Sequence, residues 1–394
     1  MTTRSKIILL CAFGAPLWAE DVPPVPVQDS AKADQYTLDL GVSTIVAEGT
    51  PKTVEENTRS VSVLDAEALK EKHPLSLSDA LRNQPGIELV GQGPNISKPS
   101  IRGMTNQRVV LVRDGIRHEA QQWSNHHTPE VDISDAEQIE VLRGPGSLLY
   151  GSGALGGVVL VRSPAVETLR DGADTLGGLA EYLFFTNSAQ HMGHVALHGA
   201  TDSWMWRTDL SGRYSPYYAV PGDHHFLAKV PASAVTDTAK IEYAAFKNYN
   251  LRLLGGWKGD GSELSLSGTQ YWEEQQLIGE GHWHNSGGPN GGPWYHVGEP
   301  IRSPTLHQKV QLHGEQDLEG QDLSYDVAFQ HDHRKGITGS AGVQVNLENF
   351  VASGNLRWNF VKREAVTRSL GLSFSQKWDR THGVEVLIPD CNTT

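Results

Sequence analysis

The sequence has little cysteine, a deficit of cations and no long apolar run, and each shortage excludes a class of protein. Two cysteines among 394 residues cannot supply a disulfide scaffold. Lysine and arginine total 33 against 46 acidic residues, and the net charge of -13 argues against binding to nucleic acid. No segment beyond the N-terminus has about 18 consecutive apolar residues, so a position in a membrane would require β-strands rather than helices.

The residues that are plentiful favour short strands and turns. The chain has 41 Gly, 20 Pro, 10 Trp and 11 Tyr, a composition typical of β-proteins rather than of long helices. A length of 394 residues exceeds what one compact core usually holds. We therefore expect at least two structural units, mostly built from strands.

The N-terminal residues 1–19 have the pattern of a secretory signal peptide. Arg4 and Lys6 precede an apolar run that ends at Ala15, and Ala19 closes the expected cleavage site. Residues 20–42 are polar and rich in proline, so we expect an extended periplasmic tether. Once the signal is removed, Cys391 is the single cysteine, and we expect its partner to lie downstream.

Residues 43–165 have the pattern of a small α+β domain. Asp65 and Ser76 are predicted to be the N-caps of two short helices, which end near Pro74 and at Pro85. Strands are predicted at residues 59–64, 87–90, 100–102, 109–113, 139–142 and 158–161.

Beyond residue 168 the chain alternates with a period of two in segments of about ten residues, the length of a tilted transmembrane strand. Trp204, Trp206 and Leu210 lie on one face of such a segment, and Arg207 and Asp209 lie on the other. Five later segments repeat the pattern, near residues 249–257, 264–272, 323–329, 356–360 and 370–378. A soluble β-sandwich would also alternate in this way, but aromatic residues at the segment ends favour a membrane wall.

Several linked motifs in the first domain carry a family resemblance. They are PSIRG at 99–103, VLVRDGI at 110–116, IEVLRGP at 139–145, SLLYG at 147–151 and GGVV at 156–159. In this order and spacing they resemble the plug domain of TonB-dependent outer-membrane receptors, over residues 43 to 164.

The resemblance implies an α+β plug domain at 43–165, followed by an antiparallel transmembrane β-barrel at 166–394. Plugged transporters of this kind close with 22 strands, whereas residues 166–394 have room for about ten strands of membrane-spanning length. We therefore expect an incomplete barrel, and a chain that is a fragment of a transporter.

Most motif residues are expected to hold the plug together rather than to bind ligand. Arg102 and Arg143 each precede a glycine, and we expect their guanidinium groups to meet carboxylates of the plug or of the barrel wall. The glycines allow tight reversals and close backbone approach. The expected structural set is Arg102, Gly103, Asp114, Gly115, Arg143, Gly144, Pro145, Tyr150, Gly151, Gly156 and Gly157.

The resemblance also implies a mechanism and a location. A receptor of this family lies in the outer membrane with its plug and N-terminus on the periplasmic side, and TonB, with ExbB and ExbD, pulls on the plug using the proton gradient. We place the TonB box at Ser43, Thr44, Ile45, Val46 and Ala47, with residues 38–40 as a competing position. The same β-prone segment could instead be the first strand of the plug. No catalytic residue is expected, because transport makes or breaks no bond.

The 17 histidines are the main clue to the ligand. Imidazoles grouped with a carboxylate suit zinc, copper or haem iron, although histidine can also be an ordinary polar residue of exposed loops. Ferric siderophore is the other expected cargo, and no cofactor is expected to stay bound. The candidate ligands are His118, His126 and His127 in the plug, and His282, His284, His296, His331 and His333 beyond it.

Two rival functions fit parts of the pattern. One is a passive porin or an adhesin with an N-terminal periplasmic module. The other is a secreted, soluble metal-binding β-protein.

Overall fold

The computed structural model describes residues 60–91, 95–119, 127–144, 146–164, 175–219, 240–241, 244–277, 282–284, 294–296, 301–338, 342–363, 366–383 and 391–393. The predicted signal peptide, tether and TonB box, together with His126 and Pro145, lie outside the described residues. Two units are described, one within residues 60–164 and one from residue 175 onward. The boundary predicted at 165/166 falls between them and remains a prediction.

The first unit, the plug unit, is a small α+β fold. Its elements are β1 (Val61–Asp65), α1 (Ala66–Lys72), α2 (Leu77–Leu81), β2 (Ile87–Gly91), β3 (Ser97–Ile101), β4 (Val109–Arg113), β5 (Ile116–Arg117), β6 (Gln138–Arg143), α3 (Ser147–Tyr150) and β7 (Gly157–Arg162). The main sheet has the order β1-β6-β7-β4-β5, and β2 pairs with β3 in a separate hairpin.

Local signals explain where the two predicted helices begin. The side chain of Asp65 accepts a hydrogen bond from the backbone N–H of Ala68, and Ser76 accepts one from that of Asp79. Both predicted N-caps are confirmed. Helix α1 ends at Lys72, and its C-cap His73, with φ of 42°, precedes Pro74, as expected because proline cannot continue a helix.

The core of the plug unit lies on both faces of its central strands. All five residues of β4 are buried, which matches its continuous apolar run and its position between β7 and β5. Val109 and Leu111 pack with Leu77 and Leu81 of α2 on one face. Val110 and Val112 pack with a second cluster, which includes Val158, Leu160 and Ala154, on the other.

The second unit, the wall, is a ten-stranded antiparallel sheet whose neighbours follow chain order. Its strands are β8 (Thr175–Phe185), β9 (Gln190–Ala200), β10 (Trp204–Ser215), β13 (Phe246–Gly259), β14 (Ser262–Leu277), β17 (Ile301–Asp317), β18 (Asp322–Thr338), β19 (Gly342–Arg363), β20 (Val366–His382) and β21 (Cys391–Thr393). Two short pairs complete the elements, β11 (Tyr218–Ala219) with β12 (Lys240–Ile241), and β15 (His282–His284) with β16 (Trp294–His296).

The wall has an apolar outer face and a polar inner face. In β10 the side chains of Trp206, Leu210 and Tyr214 are exposed, whereas Asp209 and Ser211 between them are buried under the plug unit. A soluble sandwich would bury the apolar face against a second sheet, but outward apolar residues of this wall, such as Leu210, Val310 and Phe374, are exposed. The alternation and the predicted fold class, a plug followed by a partial antiparallel barrel, are confirmed.

The two edges of the wall differ. At one end of the strands, the connections at 216–245 and 278–300 are 30 and 23 residues long. We call this end of the wall the long-connection edge. The turns at 201–203, 260–261 and 318–321 are short and lie at the opposite edge, where the chain also enters β8. Among the described residues, no helix is both long and apolar enough to cross a bilayer.

Candidate ligand-facing site between plug and wall

A buried arginine at the end of β4 organises the first group of charges. Arg113 donates two hydrogen bonds of 2.7 Å from one nitrogen to the two carboxylate oxygens of Asp135, and another of 2.8 Å to the carbonyl of Asp132. Burial alone would lower the pKa of Arg113, but the carboxylates of Asp135, Asp114 and Asp132 raise it. The guanidinium therefore stays charged inside the molecule and fixes the irregular segment 127–135 against β4.

The same carboxylates reach across to the wall. Asp135 lies 3.7 Å from Arg252 of β13, and Asp132 accepts a hydrogen bond of 2.6 Å from Ser211 of β10. Arg252 also lies 3.7 Å from Asp209, which is bound by Arg207 at 2.7 Å. Positive and negative groups thus alternate across the interface, which is the arrangement that buried charges need.

The turn between β4 and β5 inserts into the polar face of the wall. Asp114 and Gly115 have φ of 53° and 81°, the left-handed conformation that glycine adopts without strain. Wall side chains bind the carbonyls of this turn: Lys309 to Arg113 at 3.1 Å, and Gln311 to Asp114 at 2.7 Å. Side-chain donors therefore satisfy backbone groups that a buried turn would otherwise leave unpaired.

The carboxylate of Asp114 ties this turn to the end of β7. It accepts hydrogen bonds from the backbone N–H of Ser163 at 2.8 Å and from the Ser163 hydroxyl at 3.1 Å. Burial would raise the pKa of Asp114, but Arg252, Lys309 and Arg113 outweigh burial and lower the pKa to about 2. Asp114 is therefore ionised at neutral pH.

Segment 127–135 binds the wall closer to the long-connection edge. Thr128 donates a hydrogen bond of 2.8 Å to Glu273 of β14, and Glu130 forms an ion pair with Arg334 of β18. His127 shares a hydrogen bond of 3.0 Å with Gln275. Because these wall residues lie near the ends of β14 and β18, residues 127–130 of the plug lie close to the long-connection edge.

His118 precedes that segment and is buried, with 5% of its surface exposed. Its ring centroid is 4.3 Å from that of His307 in β17, and the Nε2 atoms of both imidazoles have no hydrogen-bond partner. Burial lowers the pKa of His118 well below its ordinary value, and the nearby cations lower it further. His118 is therefore a neutral imidazole, the form that binds metals.

A small polar cavity of about 30 Å³ separates the plug from the wall beside these histidines. Charges of both signs line it, including Arg113, Glu130 and Lys309. Such a lining holds water or a polar group more readily than an apolar ligand. Within the described residues, no group of three or more His, Cys, Asp or Glu side chains is arranged to hold a metal ion.

The structure places His331 and His333 on the outer face of the wall. In β18, Val327 and Phe329 are exposed on the outer face, whereas Gln330 and Asp332 are buried on the inner face. Because neighbouring strand residues point to opposite faces, the two imidazoles lie on the outer face with Phe329, where they cannot touch a ligand inside the wall. His282 and His296 are cross-strand partners in the short β15–β16 hairpin, which also carries His284.

The expected carboxylate partners of Arg143 are wrong. Its guanidinium donates to the carbonyl of Pro85 at 2.7 Å and to the hydroxyls of Ser60 and Ser62 at 3.2 and 2.5 Å. Burial and the neighbouring Arg102 lower the pKa of Arg143. Arg143 therefore ties β1 to the turn before β2, whereas the buried Arg113 pairs with a carboxylate, that of Asp135.

The other motif residues occupy turns and close contacts. Gly103, Gly115, Gly144 and Gly151 have φ between 76° and 94°, and Tyr150 packs on the second core cluster. A Cβ on Gly156 would lie 2.7 Å from the Cβ of Met104, and one on Gly157 would lie 2.4 Å from the carbonyl oxygen of Leu142. These positions suit a structural role, which remains a prediction.

Sequence reasoning missed the wall side of the interface. The residues concerned are Arg252, Glu273, His307, Lys309 and Arg334. Each occupies an inward position in an alternating strand, so the period-two pattern could have indicated the face, though not the partner.

Comparison with known proteins places this geometry in a family. The model of the TonB-dependent receptor plug domain matches residues 53–158. Residues 53–158 belong to the plug-domain family of TonB-dependent receptors. The resemblance seen in the motifs is thereby confirmed.

Three curated relatives each match less than half of this chain. Heme/hemopexin utilization protein C of Haemophilus influenzae is 40% identical over 112 residues, which are 28% of this chain and 15% of that protein. A hemin receptor of Yersinia pestis is 31% identical over 188 residues, 47% of this chain and 26% of that protein. The ferric enterobactin receptor of Pseudomonas aeruginosa is 32% identical over 189 residues, 43% and 24% of the two chains.

Solved structures show the same fold at low sequence identity. The FrpB iron transporter from Neisseria meningitidis has a TM-score of 0.64 at 14% identity, and covers 82% of this chain and 49% of its own. The ferric yersiniabactin uptake receptor FyuA from Yersinia pestis has a TM-score of 0.59 at 17% identity, with the same coverage of 82% and 49%. The chain spans about half the length of these receptors.

Proposed function

We propose that this protein works in the outer membrane as a TonB-dependent importer of an iron-containing ligand. The observation that carries the proposal is the docking of a family plug onto the polar face of a wall whose other face is apolar and exposed. An apolar outer face suits lipid, and a charged inner face suits a water-filled passage that a plug closes. A passive porin or a soluble metal-binding protein accounts for less of this arrangement.

Haem is the ligand that the residues favour. Neutral imidazole is a common axial ligand of haem iron, and the plug carries His118, which is next to His307, and His127, which contacts Gln275 of the wall. Two of the relatives above are named for haem or hemin. A ferric siderophore is the second candidate, because the ferric enterobactin receptor is 32% identical over 189 residues.

TonB is the proposed source of energy. Residues 43–47 precede the plug unit and are β-prone, so they could add as a strand to a TonB sheet. ExbB and ExbD would couple TonB to the proton gradient. No covalent step forms part of the proposal, and no cofactor needs to remain bound.

Growth on haem tests the proposal. The full-length gene product is expressed in a bacterium that cannot make haem and lacks its own haem receptor, with and without TonB. We expect growth to require TonB and to be abolished by deletion of residues 43–47. The His118→Ala/His127→Ala variant should need at least a tenfold higher haem concentration for the same growth. The matched control is His331→Ala, because that imidazole lies on the outer face.

The possible results separate the candidates. Growth that persists without TonB would favour a passive pore. Haem-independent uptake of a ferric siderophore, with wild-type behaviour of the His118→Ala/His127→Ala variant, would move the assignment to siderophore. Recovery of the protein from the periplasm in soluble form would end the transport proposal.

A further inference from the structure

The outer face of the wall carries a row of basic side chains close to the long-connection edge. Strand alternation places Lys335 and His333 on the same face as the exposed Phe329, and Arg380 and His382 on the same face as the exposed Phe374. We call Lys335, His333, Arg380 and His382 the basic rim.

Cross-strand register brings the basic rim together. His333 pairs with Glu348, and Glu348 pairs with Arg380 on the next strand. One step nearer the edge, Asn346 lies between Lys335 and His382. Since adjacent strands are about 4.8 Å apart and same-face neighbours about 7 Å, all four side chains can reach one headgroup.

The basic rim begins where the apolar belt ends. Directly below it, the rings of His331 and Phe350 stack with centroids 4.5 Å apart, and Trp378 is the cross-strand partner of Phe350. Below that aromatic row, Phe329 and Phe374 are 49% and 57% exposed. Aromatic rings collect at the level of lipid headgroups, so the rim lies at or just above that level.

Two cations of the basic rim, Lys335 and Arg380, have no ion-pair partner among the described residues. Within the described ranges, no carboxylate lies at ion-pair distance from Lys335 or Arg380, and the guanidinium of Arg380 lies 5.6 Å from the centroid of the Phe350 ring. The one acidic neighbour, Glu348, faces His333 at 3.9 Å. The two permanently charged groups, Lys335 and Arg380, therefore outnumber the single nearby carboxylate, Glu348, which already faces His333.

We propose that the basic rim binds the phosphate group of an anionic lipid in the leaflet at the long-connection edge. Charge complementarity selects the headgroup, and the aromatic row beneath it contacts the start of the acyl chains. A free anion in solution would lack that second contact, so the partner is a lipid rather than inorganic phosphate. The inference rests on the proposed outer-membrane position but not on the identity of the imported ligand.

Native mass spectrometry of the full-length receptor in neutral detergent tests the inference. The receptor is titrated separately with phosphatidic acid, phosphatidylglycerol and phosphatidylcholine, with and without millimolar inorganic phosphate. We expect phosphatidic acid to bind more tightly than phosphatidylcholine, without displacement by inorganic phosphate. Lys335→Gln/Arg380→Gln should weaken phosphatidic acid binding about 30-fold, as expected for the loss of two basic residues at a membrane surface.

The chain offers a matched control. Arg368 lies on the same strand and face as Arg380 but at the opposite end, and it is also exposed. Arg368→Gln should change the affinity for phosphatidic acid less than threefold. The inference is overturned if Lys335→Gln/Arg380→Gln binds like wild type, if phosphatidylcholine binds equally well, or if inorganic phosphate displaces the lipid.

Haem-dependent growth keeps the two proposals separable. The rim variant should support wild-type growth, because its substitutions lie on the face opposite the plug. Normal growth of the wild type with no preference for acidic lipid would reject the lipid site alone. Selective lipid binding without TonB-dependent uptake would reject the import proposal alone.

Discussion

Replacing Arg113 with glutamine removes the cation that holds Asp135 inside the plug unit. The Asp135 side chain is 3% exposed and the Arg113 side chain 10% exposed, so solvent cannot replace the lost partner. Leaving a buried charge without its partner costs about 3–5 kcal/mol. Because Arg252 still lies 3.7 Å from Asp135, we expect the low end of that range, about 3 kcal/mol off the free energy of unfolding of the plug.

A double-mutant cycle tests this reasoning. Arg113→Gln/Asp135→Asn removes both charges, so we expect it to cost less than the sum of the single changes by at least about 1 kcal/mol. The assay is hydrogen exchange at the amides of β4 in the full-length receptor, as a function of guanidinium concentration. Arg82→Gln is the control, because the Arg82 side chain is 52% exposed in its pair with Asp79 and exposed pairs contribute little. A cost below about 1 kcal/mol for Arg113→Gln, with additive single changes, would refute the argument.

Three further predictions concern pH and backbone space. Burial lowers the pKa of His118, so below pH 6.5 the unfolded chain binds a proton that the folded chain does not bind. The free energy of unfolding should therefore be highest above pH 7 and fall below pH 6.5. His118→Gln should reduce this pH dependence of the denaturant midpoint. The Asp114 pKa of about 2 lies below the unfolded value of 3.8, so its contribution is present above pH 3.8 and is lost as pH falls through 2; Asp114→Asn should abolish this acid-sensitive part of the hydrogen-exchange protection. Gly157→Ala should destabilise the plug by about 1–3 kcal/mol, because its Cβ would lie 2.4 Å from the Leu142 carbonyl oxygen; Gly255→Ala, where nothing lies within 4 Å, should not change the melting temperature.

The parts of the fold that repeat could be predicted from the sequence. Helix starts followed from single residues such as Asp65 and Ser76, and the wall followed from an alternation that sets Leu210 against Asp209. The same alternation also contained the correct position of His331, two residues after the outward Phe329. His331 and His333 share one face because strand residues two apart point to the same side, as their alternation with Asp332 indicates.

The partners inside the interface could not be predicted in the same way. Lys309 binds the carbonyl of a residue 196 positions away, and Glu130 pairs with Arg334 across the plug and wall. No local periodicity encodes which inward side chain meets which plug residue. Arg143 shows the same limit, since its serine and carbonyl partners are set by how β1 packs rather than by the glycine that follows it.

The charged seam between the plug and the wall has a consequence for how the two can part. Hydrating a newly exposed apolar surface costs about 25 cal/mol for each Å². This cost would accumulate during the withdrawal of a plug with an apolar surface. Here the surfaces that separate carry groups such as Arg252, Asp132 and Lys309, which water solvates readily. Water that enters the interface can thus hydrate these groups as each contact breaks. A plug that is bound tightly at rest can therefore still be moved by a modest steady force.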